Sequence, residues 1–190
     1  MLARLALAAL LTSSSALAQA SEMSLNGYSF EGQGGTFASR LSAGVRINIH
    51  LISNVGNLTG QYAFLLHGGP YGLRNDEGLF FGKLFEVADA FHLEPYLGLD
   101  LTLNSVAGFA SWGKPGVIGH LRFGETRLEL NAAALLEINF FPGKAGSGAA
   151  FEGRVYFSDS KEGGWYFGAQ TQFLPVSTYL LGVVGWAIAP

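Results

Sequence analysis

The sequence contains no cysteine, so it has no disulfides and no thiolate ligands for a metal. Charged residues are also scarce. They make up 13% of the chain, compared with about 25% in an ordinary soluble domain. The formal net charge is −3, whereas a nucleic-acid-binding protein typically carries a basic patch. We therefore expect no disulfide framework, no nucleic-acid partner, no metal site and no cofactor.

A long hydrophobic run is also missing beyond residues 1–20. Although 49% of the residues are hydrophobic, no later stretch reaches the ~18 uninterrupted apolar residues of a membrane-spanning helix. Glycine, by contrast, occurs 27 times, and aromatic residues make up 13% of the chain. This composition predicts apolar surface spread over many short segments, as in a membrane β-barrel.

The N-terminal residues have the organisation of a processing segment. Arg4 precedes an apolar run at 5–11, and the small residues Ala18 and Ala20 follow a serine-rich stretch. A basic start, a short apolar run and an A-x-A site define a secretory signal peptide. We predict that residues 1–20 are a cleaved signal peptide and that 21–190 form a single β-barrel domain; the alternative for the first segment is a buried N-terminal helix.

A period of two runs through the rest of the chain. In 93–104, Leu97, Leu99 and Leu101 alternate with Gly98 and Asp100. Because successive side chains of a strand point to opposite faces, such a strand has one apolar and one polar face. We predict about ten strands, with eight as the alternative count, near 24–33, 36–51, 58–68, 79–89, 92–104, 116–124, 126–140, 149–158, 164–174 and 177–188. Several of these match the ~9–11 residues with which a tilted strand crosses a bilayer.

The predicted connections alternate in length. Short ones occur at 52–57, 89–91, 124–125 and 159–163, and longer ones at 69–78, 105–115 and 141–148. Membrane barrels of bacteria combine short periplasmic turns with longer external loops. This rule places the N-terminus on the periplasmic side.

The polar face consists mostly of small, uncharged residues, whereas a soluble barrel with its apolar face inside needs a charged exterior. Aromatic residues, among them Trp165 and Trp186, gather near the strand ends, as in interfacial girdles. On this pattern the chain resembles, over residues 21–190, the small bacterial outer-membrane β-barrel class, in the size group of OmpA-type and OmpX-type barrels. The resemblance implies an antiparallel up-and-down transmembrane β-barrel in the outer membrane, exported by its signal peptide, in contact with membrane lipid and lipopolysaccharide, and most simply a monomer.

With the apolar face outward, the lumen receives the charged residues. A short turn at 124–125 would set Arg122 opposite Arg127 and His120 opposite Glu129, and a turn at 89–91 would set Glu86 opposite Glu94. Like charges directly opposite are destabilising, and Arg122 beside Glu94 would relieve both clashes. We therefore predict a lumen charge cluster toward the periplasmic end, consisting of Glu86, Glu94, His120, Arg122, Arg127 and Glu129. Other lumen-facing residues are expected to be Arg40, Arg46, His50, Asp100, Glu137 and Arg154.

The lumen-facing residues include nearly equal numbers of positive and negative charges, which predicts an occluded, salt-bridged lumen. A selective channel shows one dominant sign of charge. The leading hypothesis is a non-enzymatic barrel with no catalytic residues, serving a structural or interaction role or forming a very narrow pore. One alternative is an outer-membrane enzyme that acts on lipid or lipopolysaccharide through lumen carboxylates and histidines. Another is a soluble periplasmic barrel that binds an apolar ligand. Lys83, on the apolar face, is expected to contact lipopolysaccharide phosphates near the external rim.

Overall fold

The computed structural model describes most of the chain after the predicted signal peptide. The described residues are 23–37, 40–53, 56–69, 72–105, 108–138, 146–157, 163–174 and 177–188. The predicted signal peptide at 1–20 lies outside them, as do residues 141–145 of one predicted loop.

The described residues form antiparallel strands joined in chain order. The strands are β1 Met23–Phe37, β2 Arg40–Ser53, β3 Leu58–Gly69, β4 Gly72–Lys83, β5 Phe85–Ala88, β6 Phe91–Asn104, β7 Gly108–Phe123, β8 Thr126–Glu137, β9 Ser147–Tyr156, β10 Gly164–Leu174 and β11 Ser177–Ile188. β4 and β5 are two segments of one strand interrupted at Leu84, because both pair with β6. The sheet therefore has 10 strand positions.

The sheet closes on itself. β1 pairs with β11 from Tyr28↔Ile188 to Phe37↔Tyr179, and the pairing of β4 with β6 completes the circle. Closure leaves no row of unpaired backbone groups along a sheet edge. The predicted all-β antiparallel up-and-down barrel of about ten strands is confirmed.

Burial alternates along strands such as β2, β6 and β11 and defines which face is inside. On β6, Leu97 is 65% exposed, and Leu99 and Leu101 are also exposed, whereas Thr102 is only 8% exposed. Because one strand has only two faces, the apolar face points outward and the polar face lines the lumen. This arrangement contradicts the inverted alternative, a soluble barrel with an apolar interior.

Glycines on the inner wall give aromatic rings room to lie against the sheet. A Cβ added at Gly185 would stand 2.3 Å from the Tyr166 ring, and one added at Gly98 would stand 2.3 Å from the Phe80 ring. Both distances are shorter than any van der Waals contact. The high glycine content is therefore partly a packing requirement of the lumen.

The last strand is apolar on both faces, and one face lies inside the barrel while the other is exposed on its outside. Leu181 and Val183 of β11 are 2% and 5% exposed, and Val183 packs with Tyr156 and Tyr166 inside the barrel. The other face of β11 carries exposed Leu180. β11 thus contributes an apolar patch to the lumen, in addition to the apolar cluster that includes Phe80, Tyr96 and Leu135.

One predicted loop, at 69–78, is wrong, because β4 already begins at Gly72. Its polar run continues the strand alternation: Arg74 and Asp76 occupy inner positions and form an ion pair of 2.7 Å. Polar residues in a barrel strand indicate the lumen as readily as they indicate a loop.

A second predicted loop, at 105–115, is wrong for a different reason. β7 begins at Gly108 and continues through Pro115. The ladder to β8 passes from Gly113↔Leu136 to Gly116↔Ala133 without a pair at the intervening positions. Proline lacks an N–H donor, so it is tolerated in the strand where the ladder is interrupted.

Candidate functional site in the barrel lumen

The lumen has two distinct ends. We call the end at which β1 begins and β11 ends the termini end, and the opposite one the far end. The hairpin turn at 124–125 lies at the termini end, and its Gly124 has a φ of 62°, as a type II′ turn requires at its first central position. This turn sets Arg122 directly opposite Arg127 and His120 directly opposite Glu129.

Glu129 is the centre of the contacts at the termini end. His120 Nδ1 lies 3.3 Å from its Oε1 and Arg127 Nε 3.5 Å from the same oxygen. The Tyr156 hydroxyl donates a hydrogen bond of 2.8 Å to Oε2, and the Arg127 guanidinium stacks 4.4 Å from the centre of the Tyr156 ring. The carboxylate charge is thus contacted by the Tyr156 hydroxyl, the His120 ring and the Arg127 guanidinium.

His120 connects Glu129 to a second carboxylate. Its Nε2 lies 3.0 Å from Glu94 Oε2, and the Thr59 hydroxyl donates to Glu94 Oε1. A histidine ring with a carboxylate on each nitrogen donates to both only when it is protonated. Glu94, His120 and Glu129 are therefore linked through the histidine ring, and Arg127 joins them through its ion pair with Glu129.

Two members of the predicted cluster lie elsewhere. Glu86 is exposed on β5 and faces His92 rather than Glu94, because the pairing of β5 with β6 shifts register after Glu86. The predicted Glu86–Glu94 opposition is therefore wrong. Arg122 is exposed at the termini end, and His120 and Thr59 contact Glu94.

A second network crosses the middle of the lumen around Glu31, whose side chain is 0% exposed. Arg154 Nη2 lies 3.0 Å from Glu31 Oε2, and Arg46 Nη1 lies 3.5 Å from Oε1. The Tyr166 hydroxyl donates a hydrogen bond of 2.7 Å to Oε2, and the Gln33 amide donates one of 2.6 Å to Oε1. The buried charge is therefore compensated on both oxygens.

Glu152 joins the same two arginines from the other side. Its Oε1 lies 2.6 Å from Arg154 Nη2 and 3.5 Å from Arg46 Nη1. We call Glu31, Arg46, Glu152 and Arg154 the central quartet. Because β2 and β9 are not neighbours in the sheet, the Arg46–Glu152 contact spans the lumen rather than following the wall.

Further charged contacts occupy the lumen from the centre to the far end. Lys114 Nζ lies 3.3 Å from Asp100 Oδ2 and 4.9 Å from the centre of the Phe80 ring. At the far end, the Ser42 hydroxyl lies 3.1 Å from His67 Nε2. These residues line the lumen beyond the central quartet.

The other predicted lumen residues differ in position. Arg46, Asp100 and Arg154 lie within the networks described above, and His50 lines the cavity near the termini end. Arg40 is exposed at the start of β2, at the far end. Glu137, also at the far end, accepts a hydrogen bond of 2.9 Å from the Gly146 backbone N–H.

Sequence reasoning missed four charged lumen residues. Glu31 follows the alternation of Ser29, Glu31 and Gln33 on one face of β1, which a period-two count detects. Arg74, Asp76 and Lys114 lie in segments that their polar or proline-containing sequence marked as loops.

The central contacts divide the lumen into two unequal cavities. The one toward the termini end has a volume of about 470 Å³, and the one toward the far end about 60 Å³. Five residues line both cavities and so lie between them: Arg46, Phe80, Lys114, Asn131 and Glu152. Paired charges and aromatic rings thus occupy the lumen between these two cavities.

Lys83 lies on the outer face at the termini end, opposite Leu58 of β3, with its Nζ 5.4 Å from the centre of the Phe85 ring. The prediction of a periplasmic N-terminus and that of Lys83 at the external rim are therefore incompatible. In the predicted orientation, Lys83 faces the periplasmic side.

The part of the chain that the structure describes contains neither a metal-binding group nor a membrane-spanning helix. No group of three or more histidine or acidic residues there is arranged to hold a metal ion. Within the same ranges, no helix is long and apolar enough to cross a membrane.

Among known proteins, this chain is similar in fold to a solved structure. No family model matches the chain, and no curated protein does. Among solved structures, the crystal structure of the β domain of the Bordetella autotransporter Brka is similar, with a TM-score of 0.62 over 88% of this chain and 100% of that one. At 11% sequence identity, the two chains share the barrel fold, and the likeness carries no residue roles.

Proposed function

We propose that the protein is an integral outer-membrane β-barrel with a closed, salt-bridged lumen and a structural or interaction role. The observation that carries this proposal is the inside-out distribution of its side chains. Large apolar residues such as Leu41, Leu97 and Leu130 are 81%, 65% and 51% exposed, while Glu31 and Arg154 are buried. Such an exterior is unfavourable in water and suits the hydrocarbon of a bilayer.

The dimensions of the strands agree with this environment. They extend from 10 residues in β9 to 16 in β7, apart from the short β5, whereas a tilted strand needs about 9–11 residues to cross a bilayer. Trp165 and Trp186 form an edge-to-face pair with ring centres 5.3 Å apart on the outer face at the termini end. Aromatic pairs at this position are typical of the membrane–water interface.

The similar solved structure supports the same assignment, since its title names the β domain of an autotransporter. We extend to this chain only the outer-membrane setting of that fold. Export by the predicted signal peptide, a periplasmic N-terminus, a monomeric state and lipid contacts belong to the proposal. In that orientation Lys83 would meet phosphates of the inner leaflet, and lipopolysaccharide would meet the far end instead.

The proposed closed lumen rests on the central quartet and the residues between the two cavities. Paired charges cross the lumen between the cavity of about 470 Å³ toward the termini end and the cavity of about 60 Å³ toward the far end. A stable, large ion conductance is therefore not expected, and any flux would be limited to water and small ions.

The decisive experiment is fractionation of expressing cells, followed by comparison of heated and unheated samples on a gel. We expect the protein in the outer-membrane fraction, with a mobility shift on heating that reports unfolding of a closed barrel. Recovery from the soluble periplasm without detergent would contradict the proposal. Planar-bilayer recordings then test the lumen, and a steady conductance of large-pore size would contradict its closure.

A membrane enzyme is the second candidate, favoured by the histidine that lies between Glu94 and Glu129. Acid–base chemistry uses such groups, although structural ion-pair networks have the same composition. Loss of activity on lipopolysaccharide in Glu94→Gln, with the heat-dependent gel shift retained, would support the enzyme. Equal amounts of modified lipopolysaccharide with and without the protein would exclude it for that substrate.

A further inference from the structure

The termini-end cavity extends from the middle of the lumen to the end of the barrel. Asn26, near the start of β1, and Ile188, at the end of β11, line it together with the exposed Arg122. Phe80, which lies between the two cavities, marks its inner limit. Its volume of about 470 Å³ lies within the ~300–1,000 Å³ of small-molecule sites. The cavity is therefore large enough for a small molecule that enters from the termini end.

The charged side chains near the opening of this cavity already have partners within the protein. His120 lies between Glu94 and Glu129 and contacts both carboxylates. Arg127 forms an ion pair with Glu129, and Arg122 also has an interaction within the chain. These charges are therefore engaged before any ligand enters.

The charged residues that line the deeper part of the cavity are paired as well. They belong to the central quartet or to the ion pair of Lys114 with Asp100. A charged ligand would have to displace one of these partners, which is unfavourable because a buried charge is then left uncompensated. The cavity is therefore poorly suited to an ion.

Three other polar side chains face the same cavity and are open to it. His50 of β2, His92 of β6 and Asn26 of β1 line the cavity, and each is half-buried. None of the three side chains makes a hydrogen bond or an ion pair within the described part of the chain, and their polar atoms are not enclosed by protein. Because β6 is adjacent to neither β1 nor β2 in the sheet, these open groups lie on different walls of the cavity.

The chemistry of these open side chains matches that of hydroxyl groups. A neutral imidazole has one N–H donor and one acceptor nitrogen, and the amide of asparagine has donors and an acceptor. A hydroxyl group also donates one hydrogen bond and accepts others, so it can pair with each of them in either direction. A purely apolar molecule would take water away from these polar atoms without replacing its hydrogen bonds.

We propose that the termini-end cavity binds a small, uncharged polyhydroxyl molecule of the monosaccharide class, through hydrogen bonds to His50, His92 and Asn26. Leu84 and Leu121 also line the cavity and provide apolar contacts for the C–H groups of the ligand. This inference depends on the lumen alone, so it stands whether or not the barrel is in the outer membrane.

The test uses the full-length mature protein in lauryldimethylamine oxide, a detergent without a sugar headgroup, with folding verified by the heat-dependent gel shift. D-glucose, D-galactose and myo-inositol are titrated separately by saturation-transfer NMR at pH 8, where histidine is mostly neutral. D-glucuronate and N-methyl-D-glucamine are the charged counterparts, one of each sign. We expect saturable binding of at least one neutral probe, and binding of both charged compounds that is weaker by about tenfold or more.

His50→Leu should weaken the binding of the preferred neutral probe by about five- to tenfold, because a hydrogen bond between neutral groups is lost. His50→Gln should weaken it less, since the amide retains a donor and an acceptor. His92→Leu should act as His50→Leu does and replaces it if that variant fails the gel-shift check.

The matched control is His67→Leu, at a far-end histidine that lines neither cavity, and it should bind as the wild type does. Absence of saturable binding by all three neutral probes would overturn the inference. So would tighter binding of a charged counterpart, or an unchanged affinity in the folded His50→Leu or His92→Leu variant.

Discussion

The two faces of each strand meet opposite environments, although they belong to the same backbone. On β6, Leu97, Leu99 and Leu101 are exposed on the outside, while Tyr96 and Thr102 are buried inside. The outer face packs within the chain through neighbouring side chains such as Trp165 and Trp186, and the inner face contains most of the polar contacts. In a soluble protein the apolar face would form the core. Here the interior combines salt bridges with packed apolar residues such as Phe80 and Leu135, and the apolar outer face is left exposed.

The largest effect is expected from breaking the inner network at Glu31, whose side chain is 0% exposed. Glu31→Gln removes the carboxylate that Arg154 and Arg46 contact, and removal of one partner from a buried ion pair costs about 3–5 kcal/mol. Reversible urea unfolding in lipid vesicles measures this loss. Glu125→Gln, in an exposed turn, is the control, and equal unfolding free energies for both variants would disprove the structural role of the network.

A charge on the outer face should have the next largest effect. Leu99→Arg places a cation near the middle of β6 (Phe91–Asn104), where we expect a loss of about 2–4 kcal/mol on insertion into hydrocarbon. Leu73→Arg, near the far end of β4, is the depth control and should cost about 0–1 kcal/mol. If the same urea assay shows no dependence on depth, the outer face is not in a bilayer.

The period-two pattern made the strands and their faces predictable, because alternation is a local property of the sequence. The pairs of facing side chains inside the lumen were predictable only where a short turn fixes the register of two strands, as at Arg122↔Arg127. The contact of Glu31 with Arg154 joins residues 123 positions apart. It depends on closure of the whole barrel, which no local pattern encodes.

The start of β4 shows the other limit of sequence reasoning. The segment that contains Arg74 and Asp76 has a polar sequence typical of a loop, but it forms a strand on which both side chains face the lumen. The decision between the two depends on neighbouring strands, which extend equally far and provide hydrogen-bonding partners for this segment.

A glycine substitution on the inner wall should have a smaller effect. At Gly98, an added Cβ would lie 2.3 Å from the Phe80 ring, so Gly98→Ala should cost about 1–3 kcal/mol through overpacking. The control is Gly34→Ala on the outer face, where nothing lies within 4 Å of an added Cβ. Equal stability of the two variants would show that the inner ring packing is unimportant.

The smallest expected effect is a gain in stability. Glu77 is exposed on the outer face of β4, and its cross-strand partners are Phe64 and Leu101. Because a carboxylate in hydrocarbon is unfavourable, Glu77→Leu should stabilise the membrane-inserted barrel by about 1 kcal/mol. Glu86→Leu, at the exposed end of the barrel, should change stability little. A clear destabilisation by Glu77→Leu would indicate that this carboxylate has a role that the apolar face does not explain.

The most direct test of the central claim is a spin-label scan along β6 in lipid vesicles, with one label at position 97 and one at each position from 99 to 102. Labels at Leu97, Leu99 and Leu101 should be accessible to oxygen dissolved in the bilayer, while those at Asp100 and Thr102 should be shielded from it. An inverted alternation, or oxygen accessibility without a period of two, would contradict an apolar exterior in lipid and a polar, closed lumen.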